Sequence, residues 1–146
     1  MSRVVVIGIG SPMENDRIAW EVIDALVQDE LLQPNISAGL TILKSDRPGS
    51  RLLEYMEGSD SAILIDALQG EYADAHLRLT PSQLQEEALL LSSHGFGVAE
   101  TLQLGQKLSS LPQDVIIYGV AAWAEPGKIA SAVRQEVMTR CLNASE

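Results

Sequence analysis

The chain has 146 residues, of which 46% are hydrophobic, and its formal net charge is −10. This length and apolar content predict a single domain over residues 1–146 with a substantial core, and the acidic balance argues against nucleic acid as a partner. The apolar run Val4–Ile7 is far too short to cross a membrane. One cysteine, Cys141, cannot form an internal disulfide, which fits a reducing compartment. We therefore expect a cytoplasmic monomer with no membrane partner.

Short apolar runs alternate along the chain with segments of helical periodicity. The run RVVVIGIG is typical of a strand buried on both faces of a parallel sheet, whereas residues 74–79 alternate polar with apolar, as an edge strand does. The predicted strands cover residues 3–10, 39–45, 61–66, 75–79 and 114–120, and the predicted helices cover residues 16–32, 48–58, 95–108 and 128–142.

Strands separated by helices predict an α/β fold with three layers. We expect a mainly parallel twisted sheet of about five strands, with helices on both faces and one antiparallel edge strand. In such folds functional groups gather where the strands reach their carboxyl ends. Three places near those ends carry polar side chains: the loop with Glu14 and Asp16 after the first strand, Asp66 in ILID, and His94 in SSHGFG.

The first strand runs into Gly8-Ile9-Gly10, which raises the possibility of a nucleotide phosphate loop. A dinucleotide-binding loop needs a third glycine three residues after Gly10, and that position is Met13. The three lysines of the chain all lie outside this loop, so a phosphate-binding lysine is missing too. The acids of the loop would also repel a phosphate. The sequence therefore argues against nucleotide binding.

Carboxylate and imidazole groups at one sheet edge are a ligand set for zinc, nickel, cobalt or iron. Each residue alone has an ordinary structural explanation. Asp66 could cap the turn after its strand, His94 could be a hydrogen-bonded loop residue, and His76 lies on the polar side of the predicted edge strand and is expected at the surface. These separate explanations do not predict that the acids and the histidine lie close together in the fold. No G-x-S-x-G or H-E-x-x-H motif offers another hydrolytic site.

Four segments resemble the hydrogenase maturation endopeptidases: VVVIGIGSP…DRIAWEVIDAL, ILIDALQG, SSHGFGVAETLQLGQKL and VIIYGV…EP. The resemblance extends over almost the whole chain. In that family the second acid of a pair opening the first helix, an Asp ending a middle strand and a His before a later helix contact a metal. The resemblance assigns the last two roles to Asp66 and His94.

The first metal-contacting position depends on the length of the loop before the first helix. An ungapped count from Gly10 places Arg17 there, and a guanidinium has no lone pair to offer a metal. A loop one residue shorter than the family's places Asp16 there instead and makes Asn15 the neutral substitute for the first acid. The apolar positions of the helix that follows agree with the shorter loop, because a slipped helix would bury polar groups. This pattern favours Asp16.

The resemblance implies an endopeptidase that removes a C-terminal extension from the large-subunit precursor of a nickel-iron hydrogenase. Asp16, Asp66 and His94 would contact nickel that the substrate presents and that the enzyme does not hold permanently, and they would act in catalysis through that metal, in a protease of the aspartic type. Asp46 would recognise substrate. Two alternatives stay open: a maturation checkpoint that binds the precursor without cutting it, and a metallohydrolase of small molecules.

Overall fold

The computed structural model describes residues 2–11, 17–46, 49–86 and 93–144. The elements within these residues are, in chain order, β1 (Val4–Ile9), α1 (Arg17–Val27), a single 3₁₀ turn (Glu30–Leu32), α2 (Gln33–Ile36), β2 (Leu40–Ser45), α3 (Gly49–Met56), β3 (Ser61–Ala67), β4 (His76–Leu79), α4 (Pro81–Glu86), α5 (Ser93–Lys107), β5 (Asp114–Val120) and α6 (Pro126–Ala144).

The five strands form one sheet in the order β2-β1-β3-β5-β4. Strands β2, β1, β3 and β5 are parallel, and β4 pairs antiparallel with β5 at the edge. Strands β1 and β3 are buried along their whole length, as their continuous apolar sequences predict. The α/β fold class and the single antiparallel edge strand predicted from the sequence are confirmed.

Helices cover both faces of the sheet and divide the core into two layers. Helices α1 and α6 pack on one face, which we call the α1/α6 face, and their buried side chains join those of Val4, Val6, Ile63 and Ile65. Helices α3 and α5 pack on the opposite α3/α5 face, against the alternate residues of the same strands. This alternation follows from the two-residue period of a strand.

Several helices differ from the prediction, and the short helix α2 was not predicted. Helix α1 ends at Val27 because Asp29 begins a new turn, its carboxylate accepting a hydrogen bond of 3.0 Å from the Leu31 N–H. Helix α6 is longer than predicted at both ends. Helix α4 was not predicted. It follows Thr80, whose hydroxyl and backbone N–H exchange hydrogen bonds with Gln83, which is the capping box of a helix start.

Helix α1 lies unusually close to β1 at Gly8. A Cβ atom at Gly8 would lie 2.4 Å from Cγ1 of Ile23 and 3.1 Å from the backbone oxygen of Ala19. Both distances are shorter than van der Waals contact, so only glycine fits here. The first glycine of the Gly-x-Gly pair therefore gives the helix room to pack on the strand, which is a role inside the strand and not in the turn after it.

A charged network fastens α6 to the edge strand. The Glu136 carboxylate accepts hydrogen bonds from the Tyr118 hydroxyl at 2.7 Å, from Nη1 of Arg140 at 2.6 Å, and from Nε of Arg78 on β4. Arg140 also donates to Asp114. His76 is not the free surface residue that its alternation predicts, since it is half-buried and its ring stacks on Tyr118 at 5.4 Å between centroids.

The network keeps the Glu136 carboxyl ionised to a lower pH than an ordinary glutamate. Burial raises the pKa of this carboxyl, but hydrogen bonds from Arg78, Tyr118 and Arg140 outweigh burial and lower it from 4.5 to about 2. Burial and the hydrogen bond to Glu136 raise the pKa of Tyr118 to about 12. A carboxyl whose pKa is lower in the folded chain stabilises the fold above its unfolded pKa and loses that effect as the pH falls toward the folded one.

We expect Gly8→Ala to lower the free energy of unfolding by about 1–3 kcal/mol, because the added methyl group overpacks the contact with Ile23. Gly127→Ala is the matched control, since a Cβ at Gly127 meets nothing within 4 Å. It should be neutral or slightly stabilising. Urea unfolding measures both variants, and a Gly8→Ala protein as stable as the wild type would contradict the close packing of α1 on β1.

We expect Glu136→Gln to destabilise the protein at neutral pH and to lose this effect in acid. The difference in free energy of unfolding from the wild type should shrink as the pH falls from about 4.5 toward 2, because the wild-type carboxylate becomes protonated there. Denaturant unfolding at a series of pH values measures it. Glu21→Gln, at an exposed position of α1, should follow the wild type. A Glu136→Gln difference that stays constant over this range would refute the assignment.

Candidate functional site

Asp66 lies inside strand β3, one residue before its end, and not in the turn that follows. It pairs in register with Ile9 of β1 on one side and with Gly119 of β5 on the other. Its side chain is almost fully buried, with 1% of the residue exposed. A carboxylate costs free energy in such a place unless hydrogen bonds or a cation stabilise its charge. One stabilising contact comes from the Ala67 N–H, which donates to Oδ1 at 2.8 Å.

Asp66 belongs to the α3/α5 face of the sheet. It has the same strand phase as Ala62 and Leu64, which both pack in the core on that face. The turn-cap explanation therefore accounts for only part of its environment. A surface cap does not require a carboxylate within the central strand of the sheet.

Helix α5 brings His94 to the same edge of the sheet. The helix ends at Lys107, and the chain then enters β5 at Asp114, the amino end of that strand. Because α5 has 15 residues and a helix rises 1.5 Å per residue, it spans about 22 Å. It therefore begins near the carboxyl edge, on the face to which Asp66 belongs. His94 is the second residue of this helix, and the side chain of His94 lies outside the described residues.

The loop that leaves β1 carries the other predicted metal-contacting residue, Asp16, which lies outside the described residues. The structure describes both ends of this loop. The chain leaves β1 beside Asp66 and passes through Gly10, whose N–H donates to the Ser45 carbonyl at 2.9 Å. It is described again from Arg17, the exposed first residue of α1.

Trp20 joins the start of α1 to the carboxyl ends of two strands. Its indole Nε1 donates to the backbone oxygens of Gly8, at 3.2 Å, and Ser45, at 3.3 Å. Lys44 lies over the ring at 5.5 Å from the centroid and forms an ion pair of 2.7 Å with Asp24. These contacts hold the first turn of α1 at this edge of the sheet. The role of Trp20 could not be recognised from the sequence, because helical periodicity does not show that a half-buried Trp reaches two strand ends.

Asp46 lies at this same edge. It is exposed and directly follows β2, whose last residue, Ser45, pairs with Ile9. In the strand order β2-β1-β3, Asp46 is therefore two strands away from Asp66. Asp46 is exposed at this edge, and its role in substrate recognition stays a prediction.

The structure thus places Asp66, Asp46 and the backbone that carries His94 at the same edge of the sheet. Within the described part of the chain, no three His, Cys, Asp or Glu residues are grouped so that they could hold a metal ion. Two of the three predicted metal contacts depend on side chains outside that part. Among the described helices, none is both long and apolar enough to cross a membrane.

Solved structures of hydrogenase maturation endopeptidases share this fold. An endopeptidase from Escherichia coli superposes with a TM-score of 0.71 at 20% identity, over 97% of this chain and 93% of that one. The HybD hydrogenase maturation protease of Thermococcus kodakarensis gives a TM-score of 0.69 at 17% identity, over 92% and 98% of the two chains. The HybD endopeptidase of Escherichia coli gives 0.62 at 22% identity, over 97% and 91%.

No protein-family model and no curated protein sequence matches the chain. The resemblance predicted from sequence motifs is confirmed as a shared fold that covers 92–97% of the chain. At identities of 17–22% this likeness establishes the architecture, and the chemistry must be argued from the residues at the sheet edge.

Proposed function

We propose that the chain is an endopeptidase of hydrogenase maturation, which removes a C-terminal extension from the nickel-loaded large-subunit precursor of a nickel-iron hydrogenase. One observation supports the proposal most strongly: the carboxylate of Asp66 is buried in the central strand of the sheet. The chain shares this fold with hydrogenase maturation endopeptidases over 92–97% of its length. In open α/β sheets, ligands bind at the carboxyl ends of the strands, where Asp66 lies.

The chemistry of Asp66 suits a metal that arrives with the substrate. A buried carboxylate is stabilised when a cation approaches it, so a metal presented at this edge gains binding energy from it. We assign to Asp16 and His94 the two further contacts with the metal. Three protein ligands leave coordination positions for groups of the substrate. The enzyme therefore binds the metal and the precursor together, and cleavage depends on nickel being present.

In the proposed reaction, water adds across one peptide bond of the precursor, giving a new carboxyl terminus and a free amine on the released extension. Asp16, Asp66 and His94 act by holding the metal-bearing segment in one orientation, which places the adjoining peptide bond for attack. Asp46, exposed two strands away, contacts the part of the precursor that extends over β2.

The buried carboxylate gives the sharpest test of this function. Asp66→Asn keeps the size of the side chain and an oxygen that accepts from the Ala67 N–H, but removes the negative charge. We expect it to slow release of the extension from a nickel-loaded precursor by more than the roughly 10–100-fold that loss of an outer-shell metal partner costs. The mass of the precursor, followed over time, measures the rate.

Glu21→Gln, at an exposed position on α1, is the matched control and should cleave at the wild-type rate. Urea unfolding confirms that Asp66→Asn remains folded. A folded Asp66→Asn protein that cleaves as fast as the wild type would refute the proposal. If the wild type forms a complex with the loaded precursor but leaves its mass unchanged, the chain is a checkpoint protein and not a protease.

A pair of neighbouring variants decides which residue occupies the first metal-contacting position. We expect Asp16→Ala to abolish processing and Arg17→Ala to retain it, because a carboxylate can bind a metal and a guanidinium cannot. Arg17 is exposed at the start of α1, so its truncation should leave the fold intact. The same mass assay applies. Normal cleavage by Asp16→Ala together with loss of cleavage in Arg17→Ala would show that the ungapped register is the correct one.

A further inference from the structure

An exposed tryptophan lies at the carboxyl edge of the sheet, outside the residues assigned to the metal. Trp123 is 61% exposed. It follows β5 in a tight turn that is closed by a hydrogen bond of 3.0 Å from the Ala124 N–H to the Ala121 oxygen. Because β5 pairs with β3 up to Val120, the turn begins at the same edge as Asp66. Burying a side chain this large would contribute strongly to binding a partner.

The indole is held in place by the loop between β3 and β4. Its Nε1 donates to the backbone oxygen of Tyr72 at 3.2 Å. Tyr72 is half-buried against the core of the α3/α5 face, the face to which Asp66 belongs. The Ala121 N–H also donates to the Ala75 oxygen at 2.8 Å, which joins the two loops directly. With its polar atom bonded within the chain, the ring offers a pre-positioned apolar face to a partner.

The two loops that hold the ring carry mainly acidic charged residues. The described segments 68–75 and 121–128 contain three acids, Glu71, Asp74 and Glu125, all of them exposed. Lys128 is the one basic residue of these two segments, and its Nζ lies 3.7 Å from Glu125. We call Tyr72, Trp123 and the three acids the Trp123 surface. An exposed aromatic face on two acidic loops favours a Lys or Arg side chain, through both the ring quadrupole and the charge.

We propose that the Trp123 surface docks a basic, extended segment of the substrate polypeptide as it crosses the sheet edge toward Asp66. The identification of this segment with the hydrogenase precursor depends on the proposed function. The surface is supported independently of that function by the exposed indole, by its hydrogen bond to the loop after β3 and by the acids of the two loops. The same acids would repel a nucleic-acid or anionic lipid partner, which leaves a cationic peptide as the ligand that the surface fits.

Binding of short peptides tests the surface without any need for cleavage. The probes are three fluorescently labelled 12-residue Gly-Ser peptides that carry four Arg, four Gln or four Glu residues, and fluorescence anisotropy reports their affinity. We expect the Arg peptide to bind most tightly, with added salt weakening it. Trp123→Ala should weaken it by roughly tenfold, as loss of a central aromatic contact does. The double variant Glu71→Gln with Asp74→Asn should weaken it as well.

Leu31→Ala is the matched control, because Leu31 is 60% exposed and lies away from the carboxyl edge, in the turn after α1. It should bind the Arg peptide as the wild type does. Equal affinity of the wild type and Trp123→Ala for the Arg peptide would overturn the proposal, as would equal affinity of the wild type for the Arg and Glu peptides.

The precursor assay separates this proposal from the proposed function. If the precursor is cleaved, Trp123→Ala should raise KM and leave kcat close to the wild-type value, since Trp123 contacts the substrate and not the reacting atoms. An unchanged KM would refute docking at Trp123 and leave the protease intact. Loss of Arg-peptide binding in Trp123→Ala, with no cleavage of any precursor by the wild type, would support the docking surface and refute the protease.

Discussion

Helix α1 can lie against β1 only because residue 8 has no side chain, and the arrangement of the carboxyl edge depends on this contact. With Ile23 and Ala19 seated over Gly8, the first turn of α1 comes close enough for Trp20 to bond the ends of β1 and β2. The first turn of α1 therefore lies near the end of β1, which pairs with Asp66. A side chain at residue 8 would push the helix away and move this first turn relative to β3.

The burial of Asp66 relates the packing at this edge of the sheet to the proposed metal chemistry. The stability of the sheet does not require a carboxylate in its central strand, since Ala62, Leu64 and Leu68 fill the same face with apolar groups. A carboxylate here costs stability unless its charge is stabilised, which is why we propose that it binds a metal. The start of α1, Asp46 after β2 and the Trp123 turn all lie at this edge of the sheet. The proposed enzyme uses the buried acid for the metal and the exposed rim for the polypeptide.

Much of the sheet follows directly from the sequence. Continuous β-branched runs can be buried on both faces only in parallel strands, so β1, β3 and β5 were predicted nearly to the residue. The position of Asp66 near the carboxyl end of its strand was predicted as well. Helix α4 could have been found too, because Thr80-Pro81-Ser82-Gln83 is a capping-box sequence.

The contacts between distant segments could not be predicted in the same way. Gly8 was predicted to lie in the first strand, but nothing local shows that Ile23 occupies the position of its missing side chain. The stacking of His76 on Tyr118 depends on the pairing of β4 with β5, and the bond from Trp123 to Tyr72 joins loops that are far apart in sequence. Hydrophobic periodicity reports which face of an element is buried, but not which side chain lies opposite it.

The most direct measurement compares two forms of one precursor under identical conditions. A hydrogenase large-subunit precursor is prepared with nickel and without it, each form is incubated with the wild-type protein, and the masses of the products are determined. We expect that only the nickel-loaded form loses its C-terminal extension, since the metal is what Asp16, Asp66 and His94 are proposed to contact. Equal cleavage of the nickel-free precursor would contradict recognition of the substrate through its metal.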